Sequence, residues 1–322
     1  MNSICLYYYF FHFYNYYIFI TYNDIGDTFL KLIKLSIIIL LFLLSLFLID
    51  RGVLMKNENI YKNIKNYKYY NLDRYIKYKE KNKQLTYEEV VKNVNINLDK
   101  NFYKDIKESP NKYTNLVLVN KHYYLCEDYI PKNLVKLDYK YTSGIDVYAD
   151  KKAYEEFKLM STDASTIGLN IKTISAYRSY EYQKNLYKKY LLNDPEEIVD
   201  TYSAKAGHSE HQTGLAFDVY NIEKPYTNFG ETKEYEWLKI NAHKYGFIIR
   251  YTKDNSYITG YKDEPWHIRY VGVENATYIY ENNITYEIYD MVHILREMAA
   301  SESRAKIRKR NDQYRKRHML RA

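Results

Sequence analysis

GHSEHQTGLAFDVY, residues 207–220, decides how this chain is read. Two histidines, a glutamate and an aspartate fall within fourteen positions of a chain otherwise rich in Tyr, Asn, Lys and Ile. His211 and Asp218 stand seven apart with Gly214 between them. That spacing suits a turn leading into a strand, with Asp218 on one face.

Outward from this stretch, strands are expected at LVLVN (116–120), IKTISAY (171–177), LAFDVY (215–220), FIIRYT (247–252) and WHIRYV (266–271). Helices are expected at 151–169, 180–192, 234–245 and 272–281. The two types mix without a regular βαβ rhythm. The fold class that follows is α+β, a small antiparallel sheet flanked by helices.

The chain has 322 residues, room for one catalytic domain of ordinary size plus further segments. With 46% hydrophobic and 27% charged residues, a packed core is available. The 42 tyrosines rise together with Asn, Lys and Ile, a composition bias that says little about function. Cys5 and Cys126 lie far apart, so no structural disulfide is expected. A cysteine-based zinc site is excluded for want of ligands, and any metal must be held by His, Asp or Glu. The formal charge is +8, but residues 296–322 alone hold ten Lys/Arg against three Asp/Glu, a net +7. The remainder is nearly neutral, so the basic balance implies no nucleic-acid partner.

Five segments are expected. Residues 1–28 are apolar and aromatic, either a first span or sequence upstream of the true start. Residues 29–50 contain LSIIILLFLLSLFLI (35–49) and are expected to form a transmembrane anchor, with Lys31 and Lys34 on its cytoplasmic flank. A cleaved signal peptide and a buried helix are the alternatives. Residues 51–110 are a polar stalk or helical lead-in, in which Thr86 followed by Glu89 forms a capping box. Residues 111–290 are the catalytic domain. Residues 291–322 form a basic tail, where seven of the chain's twelve arginines lie at 296–322. It is read as an appended segment or artefact, with binding to an anionic surface as the functional alternative.

A catalytic zinc site takes three protein ligands and keeps one position open. His211 and Asp218 supply two candidates, and His267 in DEPWHIRY a third, with Glu264 three residues before it. Spacing alone leaves other readings open. His208 and His211 are also spaced to share a helical face, and DEPW also reads as a turn.

The motifs carry further. SEHQTGLAFD fits S-x-H-x-x-G-x-A-x-D through Ser209, His211, Gly214, Ala216 and Asp218. Together with SAYRSYEYQ (175–183) and EPWHIRYVG (264–272), it resembles the VanY-type D-alanyl-D-alanine carboxypeptidases, zinc peptidases of the bacterial cell wall. The resemblance covers about residues 112–290. It implies a zinc site on the sheet with His211, Asp218 and His267 as ligands. It also implies Glu264 as catalytic base, Arg178 and Gln183 as substrate contacts, and Ser209 as a polar lining residue. His208 falls outside the pattern, and Ala206 stands where a proline is common.

This chemistry agrees with the residue types. Zn2+ polarises a carbonyl and acidifies water, a glutamate moves the proton, and an arginine suits a free terminal carboxylate. The expected protein is a membrane-anchored, extracytoplasmic zinc carboxypeptidase that removes the C-terminal D-alanine from peptidoglycan stem peptides. The alternatives are an L,D-carboxypeptidase or endopeptidase of the wall, or a non-catalytic wall-binding protein. Trp266, Tyr177 and Tyr180 are read equally as pocket wall or core.

Overall fold

A computed structural model describes residues 25–223 and 226–319, with side chains described at 32–45, from 55 onward and in part of the last helix. The segment expected at 1–28 lies almost wholly outside the described residues. Two compact units are present, Met1–Asn63 and Ile64–Ala322.

Among its described residues the first unit holds a helix, α1 (Ile25–Tyr61), whose Leu, Ile and Phe run contains no proline to break it. Leu35, Ile38, Leu40 and Phe42 are exposed on it. Among the described residues no helix is long and apolar enough to cross a membrane, so the anchor expected at 29–50 is not supported.

The second unit opens with α2 (Leu72–Lys81) and α3 (Tyr87–Asn95). Thr86 caps α3 by accepting from the Glu89 amide while Glu89 accepts from the Thr86 amide, the reciprocal box read from the sequence. Tyr75, Val90, Val91 and Val94 are buried. Ile96 packs with Ile258 and Met291. From residue 64 the supposed stalk therefore belongs to the same compact unit as the sheet.

Two short pairs follow, β1 (Lys107–Glu108) with β2 (Tyr123–Tyr124), and β3 (Leu134–Lys136) with β4 (Tyr148–Asp150). The main sheet holds β5 (Lys172–Ser175), β6 (Ala216–Tyr220), β7 (Phe247–Tyr251) and β8 (Glu264–Tyr270), antiparallel in the order β5-β6-β8-β7. Helix α4 (Lys151–Thr166), capped by Asp150, stacks Phe157 on Phe217 at 5.0 Å and meets Phe247 edge-on. These rings, with Ile268 and Tyr270, centre the core. Helices α5 (Tyr180–Tyr190), α6 (Lys233–Asn241), α7 (Val273–Glu281) and α8 (Tyr286–Met319) complete the unit. The basic tail is thus the continuation of α8, whose Met291 is buried.

LVLVN is not a ladder strand. Val117, Leu118 and Val119 are buried as an apolar run should be. Two of their carbonyls, however, are satisfied by side chains: Arg269 donates to Val117 at 2.8 Å and Ser109 to Leu118 at 2.7 Å. Side-chain donors replace the neighbouring strand.

Two register shifts matter for function. Along a strand, residues three apart face opposite sides. In β8 the pairing jumps from Ile268↔Ile249 to Glu264↔Tyr251, so four residues of β8 oppose two of β7. This irregularity lets Glu264 and His267 turn to the same side. In β5, Thr173 pairs with Val219 and Ser175 with Asp218, a second shift beside the same site.

Candidate active site

Asp218 on β6 and His267 on β8 are direct cross-strand partners. His211 comes from the 3-10 turn Glu210–Thr213, closed by Gly214 in the left-handed region at φ 70. Gly214 also needs its small size, because a Cβ there would sit 3.0 Å from the Asp150 amide. Gly207, at φ 83, would place a Cβ 2.8 Å from the Leu125 carbonyl. The polar stretch is therefore a tight, buried turn.

The three side chains aim inward. His211 Nε2 lies 3.2 Å from Asp218 Oδ1, and His267 Nδ1 lies 3.3 Å from the same oxygen. The outer nitrogens are occupied. His211 Nδ1 donates to the Ala176 carbonyl at 2.6 Å, and His267 Nε2 donates to Glu210 Oε2 at 3.1 Å. Each ring therefore offers its other nitrogen to the centre, the arrangement that orients metal-binding histidines. These three form a buried group whose ligand atoms lie within 4.8 Å of one another.

Two imidazoles and one carboxylate fit zinc, which takes N and O ligands and keeps an open position in catalytic sites. Spacings of 3.2–3.3 Å match the ~3.3 Å edge of a tetrahedron with bonds of about 2.0–2.1 Å.

Glu264 stands beside this trio, Oε2 at 4.0 Å from His267 Nδ1. Burial pushes its carboxyl up to about 7, with His267 pulling the other way. Burial and Arg178 lower His211 to about 4. For His267 burial acts downward, but hydrogen bonds to Asp218 and Glu210 push it up to about 9. Burial would raise Asp218, yet His211 and Arg178 hold it well below the usual carboxylate range.

The expected substrate contacts have protein partners of their own. Arg178 pairs with Asp218 Oδ2 and donates through Nε to Ser175 Oγ at 2.9 Å. Gln183 is buried and donates to the Ala204 carbonyl at 2.8 Å, while its Oε1 has no partner among the described residues. Ser209 caps the turn by accepting from the His211 amide at 3.4 Å. Trp266 meets Tyr226 edge-on at 5.3 Å and packs on the core. His208 is separate from the trio: its Nδ1 donates to the Asn120 carbonyl at 2.8 Å, and Tyr103 lies edge-on at 5.0 Å.

Sequence reading missed the layer behind His267. Glu210 Oε1 accepts from Arg250 Nε at 2.9 Å and from an Arg269 NH at 3.1 Å. Arg250 also pairs with Glu287 at 2.6 Å. All four are buried. A signal was present, because Arg250 and Arg269 are charges inside the apolar strands FIIRYT and WHIRYV, and a buried charge demands a partner.

Comparison with known proteins finds relatives over the part of the chain that carries this site. The family model "VanY: D-alanyl-D-alanine carboxypeptidase" matches residues 146–273. The Bacillus subtilis (strain 168) "Putative carboxypeptidase YodJ" is 36% identical over 209 residues, covering 61% of this chain and 77% of that protein. The solved structure of the LdcB LD-carboxypeptidase is 37% identical, covers 58% of this chain and 90% of the other, and superposes with a TM-score of 0.54. A vancomycin-resistance D,D-pentapeptidase mutant solved with Zn(II) is 30% identical over 54% of this chain and 98% of its own, with a TM-score of 0.47.

Proposed function

The chain belongs to the VanY family of zinc-dependent D-alanyl-D-alanine carboxypeptidases, and on that premise we propose that it removes the C-terminal D-alanine from peptidoglycan stem peptides outside the cytoplasmic membrane. The observation that carries this reading is the convergence of His211 Nε2, Asp218 Oδ1 and His267 Nδ1, with Glu264 at its edge.

When bound, zinc supplies a Lewis acid that polarises the scissile carbonyl and acidifies water at neutral pH. Glu264, desolvated and poised near neutrality, accepts the proton of the attacking water and returns it to the departing amine. Arg178 neutralises the Asp218 oxygen turned away from the histidines and sets positive charge beside the site, where a terminal carboxylate would bind. Gln183 Oε1 is a buried acceptor for a donor on the peptide. The location follows from that of the substrate. The exposed apolar run of α1 at 32–45 suits a tether to lipid.

Removal of D-alanine from an L-residue is the second reading, favoured by the likeness to an LD-carboxypeptidase. Mass spectrometry of muropeptides separates the two. A pentapeptide ending in D-Ala-D-Ala should lose one residue, whereas the second reading predicts loss from a tetrapeptide ending in L-Lys-D-Ala. Equal cleavage of amidated and free termini, or no cleavage of either peptide, would sink the carboxypeptidase reading.

A further inference from the structure

A metal-binding histidine is only as well placed as the group that holds its other nitrogen. For His211 that group is a backbone carbonyl. For His267 it is a carboxylate that the chain goes to some length to bury. Glu210 is 1% exposed, and its two oxygens divide their work. Oε2 accepts from His267 Nε2 at 3.1 Å, while Oε1 accepts from Arg250 and Arg269. The arginines are themselves tied down. Arg269 donates to the carbonyls of Asn115, Val117 and Tyr270, and Arg250 donates to both oxygens of Glu287. Each carboxylate is matched by a cation, the condition under which buried charge is tolerated.

We infer that Glu210 is a positioning residue for the metal site, holding His267 in the tautomer and ring orientation that turn Nδ1 toward Asp218 and His211. The inference rests on the zinc reading above. Glu210 touches neither substrate nor metal in this scheme; it acts through His267. It also neighbours His211 in sequence, so one short turn delivers a ligand and the support of a second ligand from the opposite strand.

The test measures zinc affinity of the full chain by chelator competition, beside thermal unfolding of the metal-stripped protein. Glu210→Gln is expected to weaken zinc binding about 10- to 100-fold. Glu210→Asp keeps the negative charge among the two arginines but draws both oxygens back by one methylene. It is expected to weaken zinc binding, with any fall in the metal-stripped Tm read separately, and it serves where Glu210→Gln does not fold. Glu287→Gln loosens Arg250 without touching His267, so it should lower the metal-stripped Tm and leave zinc affinity unchanged. Wild-type zinc affinity in a folded Glu210 variant would overturn the inference, as would an equal loss of affinity in Glu287→Gln. A wild-type protein that takes up no zinc would overturn the zinc reading and this inference with it.

Discussion

Two polar clusters flank the same histidine ring. On one side, His267 Nδ1, His211 Nε2, Asp218 Oδ1 and the Glu264 carboxyl converge. On the other, Glu210, Glu287, Arg250 and Arg269 are cross-paired at 2.6–3.1 Å. Both are buried, and both draw on β8 and the turn before β6; the first adds Asp218 from β6, the second Arg250 from β7 and Glu287 from α8. The second alternates negative and positive charge along a chain from Glu287 through Arg250 and Glu210 to Arg269, which makes a rigid support. The first gathers acceptors at one point, which a cation can satisfy. Burial therefore does not distinguish a functional cluster from a structural one, whereas the sign pattern of its members does.

The comparison is broken most forcefully from the convergent side. Glu264→Ala should lower turnover of muropeptides by about 10²–10⁴-fold while zinc content stays near one per chain. Wild-type turnover would remove Glu264 from its role. From the paired side, Arg269→Met should leave turnover chemistry in place but cost about 3–5 kcal/mol in urea unfolding. It strips Glu210 of one cation and the Val117 carbonyl of its donor.

A third measurement separates the two imidazoles. His267, at about 9, must give up a proton for Nδ1 to bind metal, whereas His211, at about 4, is already neutral. Zinc affinity should fall about tenfold per pH unit as the pH drops below about 9, with His211 adding to the loss only near pH 4. Calorimetry in buffers of different ionisation enthalpy should show net proton release on zinc binding at pH 7. The smallest effect belongs to His208→Gln. It removes one hydrogen bond to Asn120, should cost about 1 kcal/mol, and should leave zinc affinity unchanged.

Much of the fold was legible in local sequence. The capping box at Thr86, the strands at 216–220 and 247–251, and the helices at 151–166 and 180–190 follow from periodicity and punctuation, which are local. LVLVN misled because an apolar run reports burial, and burial does not require a ladder when Arg269 and Ser109 reach its carbonyls. Residues 51–110, read as a polar stalk or helical lead-in, hold α2 and α3, and only the fold shows what those helices pack against. Composition describes a segment's preference for apolar or polar surroundings, not what it packs against.

By itself the sequence determined which residues have the right donor atoms and, through the motif, separated His211 from His208. Only the tertiary structure decided that His267 offers Nδ1 while His211 offers Nε2. Only it decided that Glu264 and His267, three apart on a strand, share a side. The first depends on what each ring's far nitrogen meets, Glu210 or Ala176, and the second on a register shift against β7. Both are set by neighbours distant in sequence, and no local pattern encodes them.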